Sequence, residues 1–204
     1  MQARAAVRVT LIHNPDAGGG SVPDRAEIVD ALESFGWRTR AVDRSQLEDV
    51  IKKPGDALLV AGGDGTVGKV AKRLAGTGVP MAVIPTGTAN NVARTLGVGV
   101  DARSAIDGLP RAIVRGVDLG VLDRHCGEEQ PFLEGMGVGL FASVLAERAT
   151  KKHKKLRRAF RLLANELETF EPLRTKLDVD GRDLSGHYLL VSVMNLRSLG
   201  PALG

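Results

Sequence analysis

Hydrophobic positions along the chain show two textures. Val7–His13, Ala57–Ala61 and Met81–Ile84 are short apolar runs rich in β-branched residues, and Arg38–Val42 is a fourth candidate. Runs of this length, bounded by turn residues, predict buried strands. Between them apolar residues recur at helical spacing: Ile28, Val29, Leu32 and Phe35, then Val67, Val70, Ala71, Leu74 and Ala75, then Ala89, Val92, Ala93 and Leu96. Ser21 is the candidate cap of the first helix, with Pro23 in its first turn and Gly36 as its stop. Ser45–Ile51 predicts a further short helix. Strand, loop and helix recurring in this order predict an α/β fold, a parallel sheet with helices on both faces.

The texture changes after about Asp107. Ala112–Leu122 reads as one long strand, and Phe132–Gly139 as a glycine-studded strand running into a turn. Arg174–Val179 and Tyr188–Val193 read as strands, with Asp180-Gly181 turning between their flanks. Leu156, Ala159, Phe160, Leu163, Leu167 and Phe170 form a helical stripe. The expected division is an α/β nucleotide-binding domain over 1–115 and a partial, β-rich α+β second domain over 116–204. Tyr188–Val193 is expected to be an unpaired edge strand.

Composition sharpens this picture in three ways. Aromatics are only 3% of residues, so the core is aliphatic and few platforms remain for stacking single-stranded nucleic acid. Twenty-five glycines in 204 residues exceed the roughly 7% norm, as tight turns and close backbone approaches require. The 28 basic and 24 acidic residues give a net charge of +4, which suits an anionic partner or serves solubility alone. Cys126 is the single cysteine, so no intrachain disulfide forms, and a reducing cytoplasm fits. The stretch Met1-Gln-Ala-Arg-Ala-Ala-Val-Arg8 lacks the apolar core of a signal peptide. No apolar run approaches the roughly 18 residues of a membrane span.

Candidate chemistry sits in the turns. Gly63–Gly68 matches G-x-G-x-x-G after a strand and before a helix, but it follows the third strand and lacks the acidic ribose partner. Gly63–Lys69 approaches a P-loop, yet Val70 stands where Ser or Thr would hold magnesium. The distinguishing residue is Asp64, between two glycines. A carboxylate at a phosphate-attracting helix start points to a metal-bridged nucleotide or a ligand-positioning network; the plain alternative is a helix cap. Asn14–Gly20 and Gly87-Thr88 close two other strands. In a parallel sheet all three turns lie at one carboxyl edge. His13, His125, His153 and His187 show no metal-ligand spacing, and Cys126 lies in a polar turn.

The set Asn14-Pro15-x-Ala17-Gly18, Gly62-Gly-Asp-Gly-Thr66, Pro85-x-Gly87-Thr88-x-Asn90 with Ala93-Arg94, and Val117-Asp118-Leu119-Gly120 resembles the diacylglycerol kinase catalytic domain family. That family includes bacterial lipid kinases and sphingosine kinases and is related to NAD kinases. The entry into its second domain resembles Phe132-Leu-Glu-Gly-Met-Gly-Val-Gly-Leu140. The resemblance implies transfer of phosphate from ATP, with Mg2+, to a lipid hydroxyl. It implies that Asn14, Pro15, Gly18, Gly62, Gly63, Asp64, Gly65, Thr66, Gly87, Thr88 and Asn90 form the nucleotide site. It also implies that Asp64 and Asp118 belong to a metal-linked network. Three departures stand against the pattern. Asn91 replaces the family's Asp, Gly68-Lys69 replaces Asn-Glu, and the sequence given ends at Gly204, before the region expected to hold the catalytic base. Rival readings are an NAD kinase-like enzyme and a catalytically silent nucleotide-binding module.

Lys151, Lys152, Lys154, Lys155, Arg157, Arg158 and Arg161 form the densest charge cluster. A solvated helix face explains them, as does contact with an anionic membrane, worth about 1 kcal/mol per basic residue near the surface. The expected setting is thus cytoplasmic, with peripheral contact at the inner membrane face. The expected partners are a lipid substrate and a second copy of the chain, with no nucleic acid.

Overall fold

The computed structural model describes residues 6–17, 22–99, 101–123, 127–140, 142 and 170–197. Of the helical stripe over 156–170, all but Phe170 lies outside the described residues, as does the basic run over 151–161; Phe170 is in no helix.

The chain forms two compact units, Met1–Glu134 with Asn195–Gly204, and Gly135–Met194. The first is built on β1 (Arg8–His13), α1 (Arg25–Ser34), β2 (Arg38–Asp43), α2 (Leu47–Lys52), β3 (Ala57–Gly62), α3 (Asp64–Leu74), β4 (Met81–Pro85), α4 (Asn91–Thr95) and α5 (Ala102–Gly108). The four strands pair in parallel in the order β2-β1-β3-β4. Alternation along each strand sends side chains to both faces, and both are covered. Ile12, Val60 and Val83 pack with Val50 of α2, Val67 and Val70 of α3, and Val92 of α4. Val9, Leu11, Leu59 and Ile84 pack on the other face with Ile28 and Leu32 of α1 and Ala102 and Ile106 of α5. The buried members of both clusters are aliphatic, and Phe35 and Trp37 pack against the second from its margin. The expected α/β architecture, helices on both faces of a parallel sheet, is what forms.

Several local expectations are corrected. The cap of α1 is Asp24 rather than Ser21, which lies outside the described residues. Asp24 accepts from the Glu27 N–H at 2.9 Å while Glu27 accepts from the Asp24 N–H at 2.9 Å, a reciprocal capping box. Leu96 is 42% exposed, because α4 ends one residue earlier. Helix α5 was unanticipated; Asp101 caps it through the Ser104 N–H at 2.9 Å. The long strand expected over 112–122 reduces to β5 (Gly120–Asp123), paired antiparallel with β6 (Glu129–Phe132). Ile113 and Val114 are 71% and 78% exposed. A β-branched run becomes a strand only where a neighbouring ladder receives it, and β6 receives only these four residues. β5 and β6 belong to the first compact unit, which runs to Glu134.

In the second unit β7 (Gly135–Gly139) pairs antiparallel with β12 (Leu190–Met194), so Tyr188–Val193 is neither continuous nor unpaired. β8 (Leu173–Thr175) pairs with β11 (Gly186–Tyr188), and β9 (Asp178–Val179) with β10 (Arg182–Asp183). The strand expected over Arg174–Val179 is likewise split in two. Asp180 and Gly181 have φ of 52° and 79°, the left-handed pair that a two-residue hairpin turn demands.

Candidate functional site

The register of the sheet brings three strand exits level. His13 lies opposite Ala61, and Gly62 opposite Pro85. The chain passes from β1 outward to β2 on one side and to β3 and β4 on the other. The carboxyl ends of β1 and β3 therefore flank the point where the strand order reverses, the crevice where open α/β sheets bind ligands. Asn14 follows β1 there. It is 8% exposed, its N–H donates to the Ala61 carbonyl at 3.0 Å, and its Nδ2 donates to Thr66 Oγ1 at 2.9 Å. Its Oδ1 accepts from the Asp16 N–H at 3.3 Å. Asn14 thus bridges the first and second glycine turns. Of the four buried polar residues among the described residues, Asn14, Thr86 and Asn91 belong to these turns, so the described interior's polarity is concentrated here.

The second and third turns touch through backbone. A Cβ on Gly87 would stand 2.5 Å from Gly63 Cα, and one on Gly63 would stand 3.2 Å from Gly87 Cα. This approach requires glycine at position 87 and leaves a Cβ at position 63 only tight space. A Cβ on Gly62 would meet Thr66 Cβ at 2.8 Å. The third turn is closed by Asn90, whose Oδ1 accepts from the Gly87 N–H and whose Nδ2 donates to the Gly87 carbonyl, each at 2.9 Å. Asn90 adopts φ 50° to do so, a conformation asparagine tolerates better than most residues.

Asp64 does not cap its own helix. Gly63 is the N-cap of α3, and Asp64 is the first helical residue. Its Oδ1 instead accepts from the Val92 N–H of α4 at 3.0 Å. One carboxylate oxygen therefore holds the start of a neighbouring helix. The Thr66 and Val67 N–H groups turn back to the Gly63 carbonyl at 2.9 and 3.1 Å. Helix geometry leaves the Asp64 and Gly65 N–H groups without intrahelical acceptors, the usual anion-binding end of a helix.

The structure gives Asn91 a partner and adds Glu134, Asn195 and Thr86, which sequence reasoning missed. Asn91, 7% exposed, donates through Nδ2 to Glu134 Oε2 at 3.0 Å. Asn195 Nδ2 donates to the carbonyls of Asp118 and Leu133 at 2.7 and 2.9 Å. Thr86 is 3% exposed, and its N–H donates to the Gly62 carbonyl at 3.3 Å. The sequence signal for Glu134 was a lone acid in an apolar, glycine-rich strand exit. Asp118 meets the cluster through its backbone carbonyl, and its side chain is exposed. Thr88 and Lys69 are exposed as well. Gly18 lies outside the described residues. His13, next to Asn14, titrates below the usual histidine range because burial and then the charge of Arg25 disfavour its protonated form.

No group of three His, Cys, Asp or Glu side chains among the described residues is arranged to hold a metal ion. A magnesium ion bound with phosphates needs only one or two protein carboxylates, and Asp64 stands at these turns to supply one. No helix among the described residues is long and apolar enough to cross a membrane. At the opposite, amino-terminal edge of the sheet a hollow of about 560 Å³ is lined by Arg8, Thr10, Arg38, Arg40 and Lys53. Charges along an edge strand such as β2 guard it against pairing with another chain.

Residues 8–122 match the family described as the diacylglycerol kinase catalytic domain. A diacylglycerol kinase of Mycobacterium tuberculosis (strain ATCC 25618 / H37Rv) is 31% identical over 210 residues, covering 96% of this chain and 67% of the relative. A diacylglycerol kinase of Bacillus subtilis (strain 168) is 27% identical over 206 residues, covering 95% and 66%. The chain thus spans about two thirds of the length of these two relatives. A crystal structure of a diacylglycerol kinase from Bacillus anthracis superposes with a TM-score of 0.68 at 25% identity, over 99% of this chain and 68% of that one.

Proposed function

Because the chain belongs to the diacylglycerol kinase catalytic domain family, we propose that it binds ATP at the three glycine turns and passes the γ-phosphoryl group to a lipid hydroxyl. The observation that carries this reading is the convergence of the β1, β3 and β4 exits at the reversal of strand order. There Asn14 ties one turn to Thr66, and Gly63 and Gly87 meet backbone to backbone. The close backbone contact of Gly63 with Gly87 holds two of the turns together, and the start of α3 offers N–H groups and a favourable dipole. Asp64 would repel phosphate unless a cation stood between them. A magnesium ion bound with the nucleotide would supply neutralisation of the charge that builds on the transferring group. Asp64 is the residue that would hold it, with Asp118 as the second candidate. The Val92 N–H keeps the Asp64 carboxylate in one orientation, so the charge is presented at a fixed place.

A lipid acceptor requires the protein to meet a membrane. The basic run over 151–161 is the proposed contact, and its sedimentation with anionic vesicles should fall steeply with salt, since exposed charges are screened beyond about 8 Å at physiological ionic strength.

Calorimetric titration with MgATP tests the nucleotide reading. Asp64→Asn retains an acceptor for Val92 but loses the charge, so it should keep the fold and lose the magnesium-dependent part of the affinity. Asp64→Ala should lose both the affinity and the tie to α4. A folded parent chain that binds no MgATP removes the proposal.

A further inference from the structure

Unmet hydrogen-bonding capacity concentrates in one segment. Of the four buried side-chain oxygens without a partner among the described residues, three lie between residues 86 and 95: Thr86 Oγ1, Asn91 Oδ1 and Thr95 Oγ1. Asn91 differs from the two threonines because its other end is committed. Its Nδ2 donates to Glu134 Oε2 at 3.0 Å, and a carboxylate only accepts, so this bond fixes which way the amide faces. The next residue, Val92, gives its N–H to Asp64. Glu134 is therefore joined to Asp64 through the first turn of α4. Glu134 is itself held. Its carbonyl accepts from the N–H groups of Asn195 and Leu196 at 2.8 and 3.1 Å, and Asn195 also donates to the Leu133 carbonyl.

We propose that Glu134 is a positioning residue of the nucleotide site. By holding Asn91 it fixes the first turn of α4, and through the Val92 N–H it fixes the Asp64 carboxylate. It does so as a hydrogen-bond acceptor anchored by the chain returning at Asn195. This rests on the nucleotide reading above but makes a claim of its own about the ligand-free protein.

Four variants separate the proposal from a merely structural polar contact. Glu134→Ala removes the acceptor, whereas Glu134→Gln keeps one for Asn91. Asn91→Asp sets two carboxylates where the 3.0 Å bond now stands, and like charges at that distance repel. The double variant Asn91→Asp/Glu134→Gln restores the bond with donor and acceptor exchanged. The readouts are exchange of the Val92 amide by NMR without ligand, MgATP affinity by calorimetry, and thermal unfolding as the control for fold. Glu134→Ala and Asn91→Asp should each exchange the Val92 amide about tenfold faster and bind MgATP about tenfold more weakly, the scale of one hydrogen bond to a charged group. Glu134→Gln and the double variant should return both quantities to near the parent values, and they test the link even where Glu134→Ala does not fold. Unchanged Val92 protection in a folded Glu134→Ala, or a double variant no better than Asn91→Asp, overturns the proposal. A parent chain that shows the expected Val92 pattern but binds no MgATP overturns the nucleotide reading and leaves the positioning link standing.

Discussion

Gly87→Ala tests the site at its tightest point. Gly87 does not adopt a left-handed φ, so the added methyl costs nothing in backbone preference and the penalty is space alone. The new Cβ would stand 2.5 Å from Gly63 Cα and 2.8 Å from Asn90 Oδ1. Ordinary carbon contacts lie near 3.5–4.0 Å, so the two turns must separate by about 1 Å. That movement pulls Asn90 from the Gly87 N–H and removes the bonds that hold Asn90 at φ 50°. Overpacking of this kind costs about 1–3 kcal/mol. At about 2–4 °C per kcal/mol for a chain of this size, the melting temperature should fall by roughly 2–12 °C. MgATP affinity should fall with it, because both displaced segments line the proposed phosphate site. Gly68→Ala is the matched control. A Cβ there meets nothing within 4 Å, and the position lies inside α3, where alanine is favoured over glycine by about 1 kcal/mol. It should melt about 2–4 °C higher. Unfolding can be followed by the fluorescence of Trp37, the sole tryptophan, which lies in the first unit. A Gly87→Ala protein that melts and binds MgATP like the parent, or that shifts in the same direction as Gly68→Ala, would refute the reasoning.

Two further outcomes follow from the same geometry. Asn14 and Thr66 should couple by about 1 kcal/mol in a double-mutant cycle of Asn14→Ala and Thr66→Val measured by denaturant unfolding; strict additivity would show that their 2.9 Å contact contributes nothing. His13 titrates lower in the folded chain than in the unfolded one, so the unfolded state takes up its proton first as pH falls. Its contribution to stability is complete above about pH 6.5 and is lost as pH drops through the folded value. His13→Gln should therefore show a shallower decline in melting temperature between pH 7 and pH 5, and identical slopes would exclude the assigned cause.

What the sequence determined on its own was the repeating order of strand, turn and helix and the location of the chemistry. Apolar runs such as Leu58–Ala61 carry their burial in their composition, and Val67, Val70 and Leu74 carry theirs in their spacing. Both signals are local, so they survive without knowledge of the partners. The glycine turns were legible for a similar reason, since a residue without a Cβ between a strand and a helix marks a close approach. What approaches it is a tertiary matter: nothing near Gly63 in sequence announces Gly87. The partner of Asp64 was equally hidden. A carboxylate at a helix start reads as a cap for that helix, and only the packing of α3 against α4 hands it to Val92, 28 residues away. Asn91 taken alone read as a lost charge, whereas folding sets it against Glu134, 43 residues on. The failed strand over 112–119 shows the converse. Its β-branched residues state a preference, but a strand is a pairing, and of residues 112–123 only Gly120–Asp123 found a ladder. Periodicity is a property of one segment and can be read from it; hydrogen-bond partners and strand neighbours belong to two segments at once, and only the folded chain decides them.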